Sequence, residues 1–194
     1  MRAYKGFKSD LTCTYGRGVY QYEIGVPVRE DSSKCQSRGT HCAENPLECL
    51  RWYPLGKGNR YFIVEAEGSI DELGGTDTQL ACTEITLVKE LSIKELAGHA
   101  MMYMVQHPLR EWEWRGWFLQ VSRDRAVGNE EGSIAIARGE HPKVRGVSGA
   151  VLGLIKESEG LIEDAKLFEV SGDIKPDTWY TLENRQPREV RGEA

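Results

Sequence analysis

The sequence predicts an α+β fold: a mixed, strand-rich N-terminal domain with two helices, followed by a small β-rich C-terminal domain. Three observations carry that prediction. Short apolar runs rich in β-branched and aromatic residues recur between Gly and polar turns. Only two segments carry helix-start signals. After Pro108 the composition changes abruptly to Trp-rich and then Gly-rich.

The elements follow in order. Arg2–Phe7 reads as an opening strand, and Val19–Gly25 alternates as a half-buried strand does, until Pro27 limits it or places it at an edge. Asn45-Pro46 opens a helix, with Asn45 as N-cap, Pro46 at the first helical position and Glu48 in the first turn. Tyr61–Ala66 and Thr83–Val88 are the clearest strands. Ser92 and Glu95 form a capping box, after which Ile93, Leu96, Ala97, Ala100, Met101 and Met104 recur at helical spacing to about Gln106. Pro108 ends that helix, because the residue before a proline avoids the helical region. A domain boundary is drawn there, giving domains 1–108 and 109–194.

Trp112, Trp114 and Trp117 crowd the next segment, with Trp112 and Trp114 on one face of an extended chain and Trp117 on the other. The run GSIAIARGEHPKVRGVSGAVLGLI suits short strands with tight turns, as in a small β-roll or meander. Strands are expected near Ala165–Val170 and Thr178–Leu182, and the final NRQPREVRGEA is expected to be loose.

Composition bounds the function. The chain carries 25 Lys and Arg against 30 Asp and Glu, a net charge of -5 that offers no long-range attraction to phosphates or anionic lipid. Nucleic acid is therefore not the expected partner, although a local patch could still make a specific contact. No window reaches the roughly 18 apolar residues of a membrane span, and the N-terminal run lacks the apolar core of a secretion signal. The five cysteines, Cys13, Cys35, Cys42, Cys49 and Cys82, are read as reduced thiols in a cytoplasmic protein.

Cys35, His41, Cys42 and Cys49 form the densest cluster of potential ligands, but paired C-x-x-C knuckles are absent and no metal site is assigned. His41 and Cys42 are adjacent on an extended chain and so point to opposite faces, which argues against a nucleophile–base pair. The segments GRG at 16–18, GKGNR at 56–60 and ELGGTD at 72–77 match no phosphate-binding loop. The three tryptophans with Arg115 are candidate partner-binding residues, since aromatics beside arginine anchor interfaces. The competing reading makes them the core of a small β domain.

Two resemblances add to this reading. The runs AYKGF, QYEIG, RGTHCAENPLECLRWYP, NRYFIVEAEG and TEITLVKEL resemble an uncharacterised domain family of bacteriophages and prophages. The run GSIAIARGEHPKVRGVSGAVLGLIKESE, ending in IKPDTWYTL, looks like the tail that often follows that domain. This resemblance brings no activity with it. With no complete catalytic constellation in the sequence, the leading expectation is a phage-encoded accessory protein in the host cytoplasm that binds a host or phage protein, in one version to inhibit a host defence system.

The order of elements around the first strand and the G-T-H-C-A-E-N-P-L-E-C-L-R-W-Y run is also similar to that of ADP-ribosyltransferases. That likeness implies NAD as cofactor. It matches Lys5 to the dinucleotide-holding position, Thr40 or His41 to the middle-strand position, and Glu84 to the late carboxylate that orients the ribose. Tyr4, Tyr22 and Tyr53 would then wall the cofactor cleft. Physically, Glu84 could stabilise an oxocarbenium-like centre, whereas Lys5 lacks the planar fork of an arginine. As bland alternatives, Glu84 is a solvent-facing strand residue and Lys5 an edge-strand charge. A third reading is a virion or assembly subunit, with the Gly-rich strands at 132–153 pairing between copies and the protein a homo-oligomer.

Overall fold

The computed structural model describes residues 1–13, 19–74, 77–110 and 112–190, and the chain divides into two compact units, Met1–Ser92 and Ile93–Ala194. Both are predominantly β. Among the described residues no helix is long and apolar enough to cross a membrane.

The first unit is built from β1 (Arg2–Phe7), β2 (Thr12–Cys13), β3 (Tyr20–Gln21), β4 (Val28–Arg29), β5 (Thr40–Ala43), α1 (Cys49–Trp52), β6 (Arg60–Glu72) and β7 (Gln79–Leu91). β2 and β3 pair with each other as a separate short ribbon. The remaining strands form one sheet that closes on itself. β1 lies between β5 and β6, β6 pairs also with β7, and β7 returns to β5. β4 adds to the outer part of β7. Closure removes most open strand edges and creates an interior, filled by Ala3, Phe7, Cys42, Phe62, Val64, Ala66, Leu80, Cys82, Ile85 and Leu87.

The predicted helix at Asn45 is shorter than its signals suggested. A 3-10 turn over Pro46–Glu48 runs into the single turn of α1, and the Asn45 side chain accepts from the Leu47 N–H at 3.1 Å, as an N-cap does. Its apolar residues lie against the outer face of β1 rather than the barrel interior. Gly6 permits this, because a Cβ there would sit 2.8 Å from the Tyr53 ring. β6 and β7 each run 13 residues, well beyond the six-residue strands read from composition. Their polar ends continue the ladder because each is held by the other.

The second unit begins with α2 (Ile93–Gln106), followed by β8 (Trp114–Arg115), β9 (Leu119–Gly128), β10 (Ile134–Gly146), β11 (Val151–Ser158), β12 (Leu161–Glu169), β13 (Tyr180–Glu183) and β14 (Gln186–Glu189). β9, β10 and β11 are parallel neighbours joined by short links, with Leu119, Ile134 and Val151 in line. Parallel strands ordinarily need a long crossover. Here the strands bend instead: β9 at Asp124, which has a φ of 61°, and β10 where its register shifts between Arg138 and Lys143. Both halves of β9 pair with both halves of β10, so the chain coils as a short roll in the manner of a parallel β-helix. The run is built of strands and not a helix, as its small residues and glycines predict.

α2 packs on β11 and β12, within this second unit. Met101 presses its sulfur against Gly153, where a Cβ would lie 2.6 Å away. The compact units therefore divide before α2, at Ser92, whereas the composition change placed the boundary after it at Pro108. The helix's buried face, Leu96, Ala97, Ala100, Met101 and Met104, assigns it to the unit it covers. The tail read as loose contains β14, paired with β13 from Tyr180↔Glu189 to Glu183↔Gln186. Nothing apolar announced it, because both faces of so short an edge strand carry polar residues.

Leu154 is fully buried in the core of the roll. Leu154→Ala is expected to lower stability by about 2–5 kcal/mol through lost transfer energy and an unfilled cavity, measured as a fall in the urea unfolding midpoint.

Candidate functional site

β1 places Lys5 on the same face as Ala3 and Phe7, which is the interior of the closed sheet. Only 7% of the residue is exposed. β1 is flanked on both sides, so Lys5 is not the edge-strand charge that its bland reading supposed. A buried ammonium must replace its lost water. Lys5 Nζ donates to the His41 carbonyl at 2.6 Å and lies 5.5 Å from the centroids of both the Phe7 and Tyr22 rings.

Thiols complete the surroundings. Cys42 and Cys82 share the interior face on adjacent strands, and Cys82 Sγ lies 3.1 Å from Thr40 Oγ1. The neighbouring Cys82 thiol, with burial, drives the Cys42 thiol well up from its ordinary range. The proximity of Cys42 pulls Cys82 down, helped by Thr40 and by the Lys5 charge, against the opposing effect of burial. Cys49, on the far side of β1, is pushed up to about 12 by burial, with Lys5 the largest opposing influence. The arrangement is an enclosed cation facing a thiol pair of which Cys82 is the member biased to thiolate.

His41 follows Thr40, whose side chain is inside, and its own ring lies on the other face of β5. Its Nε2 accepts from the Gln36 N–H at 3.0 Å. Burial, and secondly the Lys5 cation, hold His41 below its ordinary 6.5. Lys5 and His41 thus meet only through the His41 carbonyl. Glu84 lies elsewhere. The inward residues of β7 run Leu80, Cys82, Ile85, Leu87, so the alternation slips opposite the bulge between Glu67 and Ile70 and leaves Glu84 outside. There Arg29 grips it from two nitrogens, at 3.1 and 2.9 Å.

The three tyrosines are likewise dispersed. Tyr22 faces Lys5. Tyr4 and Tyr53 pack on the outer side of β1 around α1, where the Tyr61 hydroxyl donates to the Tyr53 carbonyl at 2.7 Å. The described geometry assembles no common wall from them. The cysteine cluster is also divided: Cys35 Sγ donates to the carbonyls of Asp71 and Gln79, away from Cys42 in the interior and Cys49 on α1. Among the described residues no group of His, Cys, Asp and Glu is arranged to hold a metal ion, and all five cysteines are free.

A family model described as a domain of unknown function, DUF7666, matches residues 1–99, half of the chain. The chain belongs to this family. No curated protein and no solved structure matches it. The DUF7666 match spans the whole closed sheet and ends inside α2, so Lys5, His41, Glu84 and the thiol pair all lie within it. Of the glycine-rich segments, 16–18 and residues 75 and 76 lie outside the described residues, as does Glu111 among the charges flanking the tryptophans.

In the second unit, Trp112 and Trp114 are half-buried, and Trp112 carries the guanidiniums of Arg138 at 4.9 Å and Arg123 at 5.8 Å. Arg115 is solvent-exposed, with Glu113 at 3.9 Å. Trp117 differs: it is 62% exposed at the β8–β9 turn, and its Nε1 donates to Glu130 at 3.2 Å. Sequence reasoning missed Cys82 as the partner of Cys42. Two thiols forty residues apart become neighbours only through the β5–β7 register, Cys42 opposite Leu80 and Thr40 opposite Cys82.

His41 gives a pH test of this arrangement. Its folded pKa lies below 6.5, so the unfolded chain takes up a proton first as pH falls. The stability it contributes is present above 6.5 and is lost as pH drops from 6.5 toward the folded value. Urea midpoints measured from about pH 7.5 to about pH 5.5 should fall, and His41→Gln should flatten that slope; an equal slope in the variant would place the titration elsewhere.

Proposed function

We propose that this DUF7666 protein is a phage or prophage accessory protein that works in the host cytoplasm by binding a host or phage protein, with inhibition of a host defence system as the role. The observation that carries the reading is Trp117. A large aromatic side chain stands 62% exposed at a hairpin turn and is fixed there by its bond to Glu130. An ordered exposed indole loses little entropy on docking and has large area to bury, which is the profile of an interface anchor. Leu109, 96% exposed in the same Trp-rich segment, adds apolar surface with no role in the core.

The residues matched to a transferase support the same reading from the other side. Lys5 is enclosed and bonded to a backbone carbonyl, His41 turns its ring away, and Glu84 is held by Arg29. A carboxylate already gripped by a guanidinium is poorly placed to orient a ribose.

The test has two arms. Wild type immobilised in bacterial lysate should capture a protein that Trp117→Ala combined with Leu109→Ser fails to capture, and the purified captured protein should bind wild type in titration calorimetry. Wild type titrated with NAD at millimolar concentration should give no heat. Micromolar binding of NAD that Glu84→Gln abolishes would replace this reading with the transferase one, and equal capture by the double variant would remove Trp117 and Leu109 from the interface.

A further inference from the structure

β12 is the end strand of the second unit's sheet, paired with β11 along one side from Val151↔Glu169 to Ser158↔Leu161. The Gly-rich run at 132–153 offers no such edge, because β10 is paired on both sides. Which groups the β12 edge presents follows from the alternation of an antiparallel ladder. The Val170 N–H turns inward to the Ala150 carbonyl at 2.9 Å, and the register holds without a slip from Val151↔Glu169 to Lys156↔Asp164. Phe168, Lys166 and Asp164 therefore bond to β11, whereas Leu167 and Ala165 turn their N–H and C=O groups to the outer side. Accordingly the Ala165 N–H donates to the side chain of its own neighbour, Asp164, at 2.9 Å. A regular edge of this kind is a template for another strand.

We propose that the occupant of this edge is β12 of a second copy of the chain, antiparallel about a twofold axis through Ala165. In that register the strand is complementary to itself. Asp164 stands opposite Lys166 of the second copy and Lys166 opposite Asp164, so opposite charges meet twice across the axis. Ala165 stands opposite Ala165 and exchanges two backbone bonds with it. A backbone carbonyl there replaces the Asp164 carboxylate, which is released to its lysine. Leu167 stands opposite Glu163, where the register with β11 slips and the regular ladder ends. No like charges are directly opposed, and because both copies use the same edge, assembly closes at two.

The helix layer extends the match. α2 lies over β11 and β12, with Lys94 3.7 Å from Glu169 and Gly98 above Leu167, where a Cβ would lie 3.5 Å from the leucine side chain. Four residues of helix thus advance as far as two of strand, as rises of about 1.5 and about 3.3 Å per residue require. The next step sets Met102 at the level of Ala165, on the axis. Met102 and Val105 are exposed apolar residues on the stripe that begins at Gly98, and the small, exposed Ala165 leaves room beneath them. With strands about 4.8 Å apart, a helix over the β11–β12 boundary stands about 5 Å from the axis. The two α2 helices then run antiparallel about 10 Å apart, at the upper end of helix packing distances. The same rotation that joins the strands therefore covers the apolar stripe with its own copy.

The test is sedimentation equilibrium of the full chain over a concentration series. Wild type should move from the mass of one chain, 21.9 kDa, to twice that as concentration rises to about 100 µM. Asp164→Lys places lysine opposite lysine at both sites across the axis, and Lys166→Asp places aspartate opposite aspartate, so each variant alone should show a dissociation constant raised by about tenfold or more. Mixed in equal amounts, the two variants restore opposite charges at both sites and should associate as wild type does. The double variant Asp164→Lys with Lys166→Asp should do so too, which shows as well that neither change unfolds the chain. Met102→Glu, at an exposed helix position, should weaken the dimer and leave the thermal midpoint of the dilute protein unchanged. Trp117→Ala should dimerise like wild type, which keeps this surface distinct from the proposed protein interface. A wild type that keeps the mass of one chain throughout, single variants that associate like wild type, or a mixture that fails to associate although each variant melts cooperatively would each overturn the proposal.

Discussion

A lysine inside a closed ring of strands is the constraint around which the first unit is organised. An ammonium taken out of water costs several kcal/mol unless its protons and charge are met, and Lys5 is met by a carbonyl, two ring faces and a thiol pair. Apart from Phe7 on its own strand, those partners come from β5, β7 and the segment of Tyr22. The His41 carbonyl requires β5 beside β1, and Cys82 requires β7 beside β5. Moving any strand by one residue turns its side chains to the other face and would strand the charge. The lysine thereby specifies register in the way a buried polar group can.

The second unit solves a different problem. Three parallel strands in sequence have no crossover helices to cover them, so the chain has to bend within each strand to return. Bending leaves polar groups of β9 to be satisfied along its outer edge, and its own side chains serve there. Gln120 accepts from the Val127 N–H at 2.7 Å and the Ser122 hydroxyl bonds to the Arg125 carbonyl. An edge so occupied is a poor template for another strand, which weighs against edge-to-edge assembly through β9.

How much of this was legible depends on the range of the signal. Local signals were read correctly where one residue controls its own backbone: Asn45 caps, and α2 stops at Gln106 before Pro108. Long-range pairing was not legible. β14 has no apolar pattern and exists because β13 offers it a partner. Glu84 takes the outer side that alternation with Ile85 and Leu87 gives it, but its partner Arg29 is placed opposite it only by the β4–β7 pairing. Lys5 looked like an edge charge because sequence does not tell whether a six-residue strand has one neighbour or two. α2 looked N-terminal because composition changes after it, but its apolar face follows β11 and β12.

The distribution of charge, unlike its total, is likewise set by long-range pairing. A total of -5 governs the field at distances beyond a Debye length of about 10 Å, and at that range the molecule repels polyanions. Within that length the arrangement of the nearest few charges decides. Arg123-x-Arg125 and Lys143-x-Arg145 each show a cation every second residue, the period of one strand face. Neither pair alone distinguishes a solvated edge from a surface. Parallel pairing of β9 with β10 sets Arg125 against Lys143, and the antiparallel β13–β14 hairpin brings Arg188 into the same row. The positive face is therefore a property of the coil: an isolated strand would present two charges, and only the bend that lets parallel strands stack without crossovers gathers four on one surface.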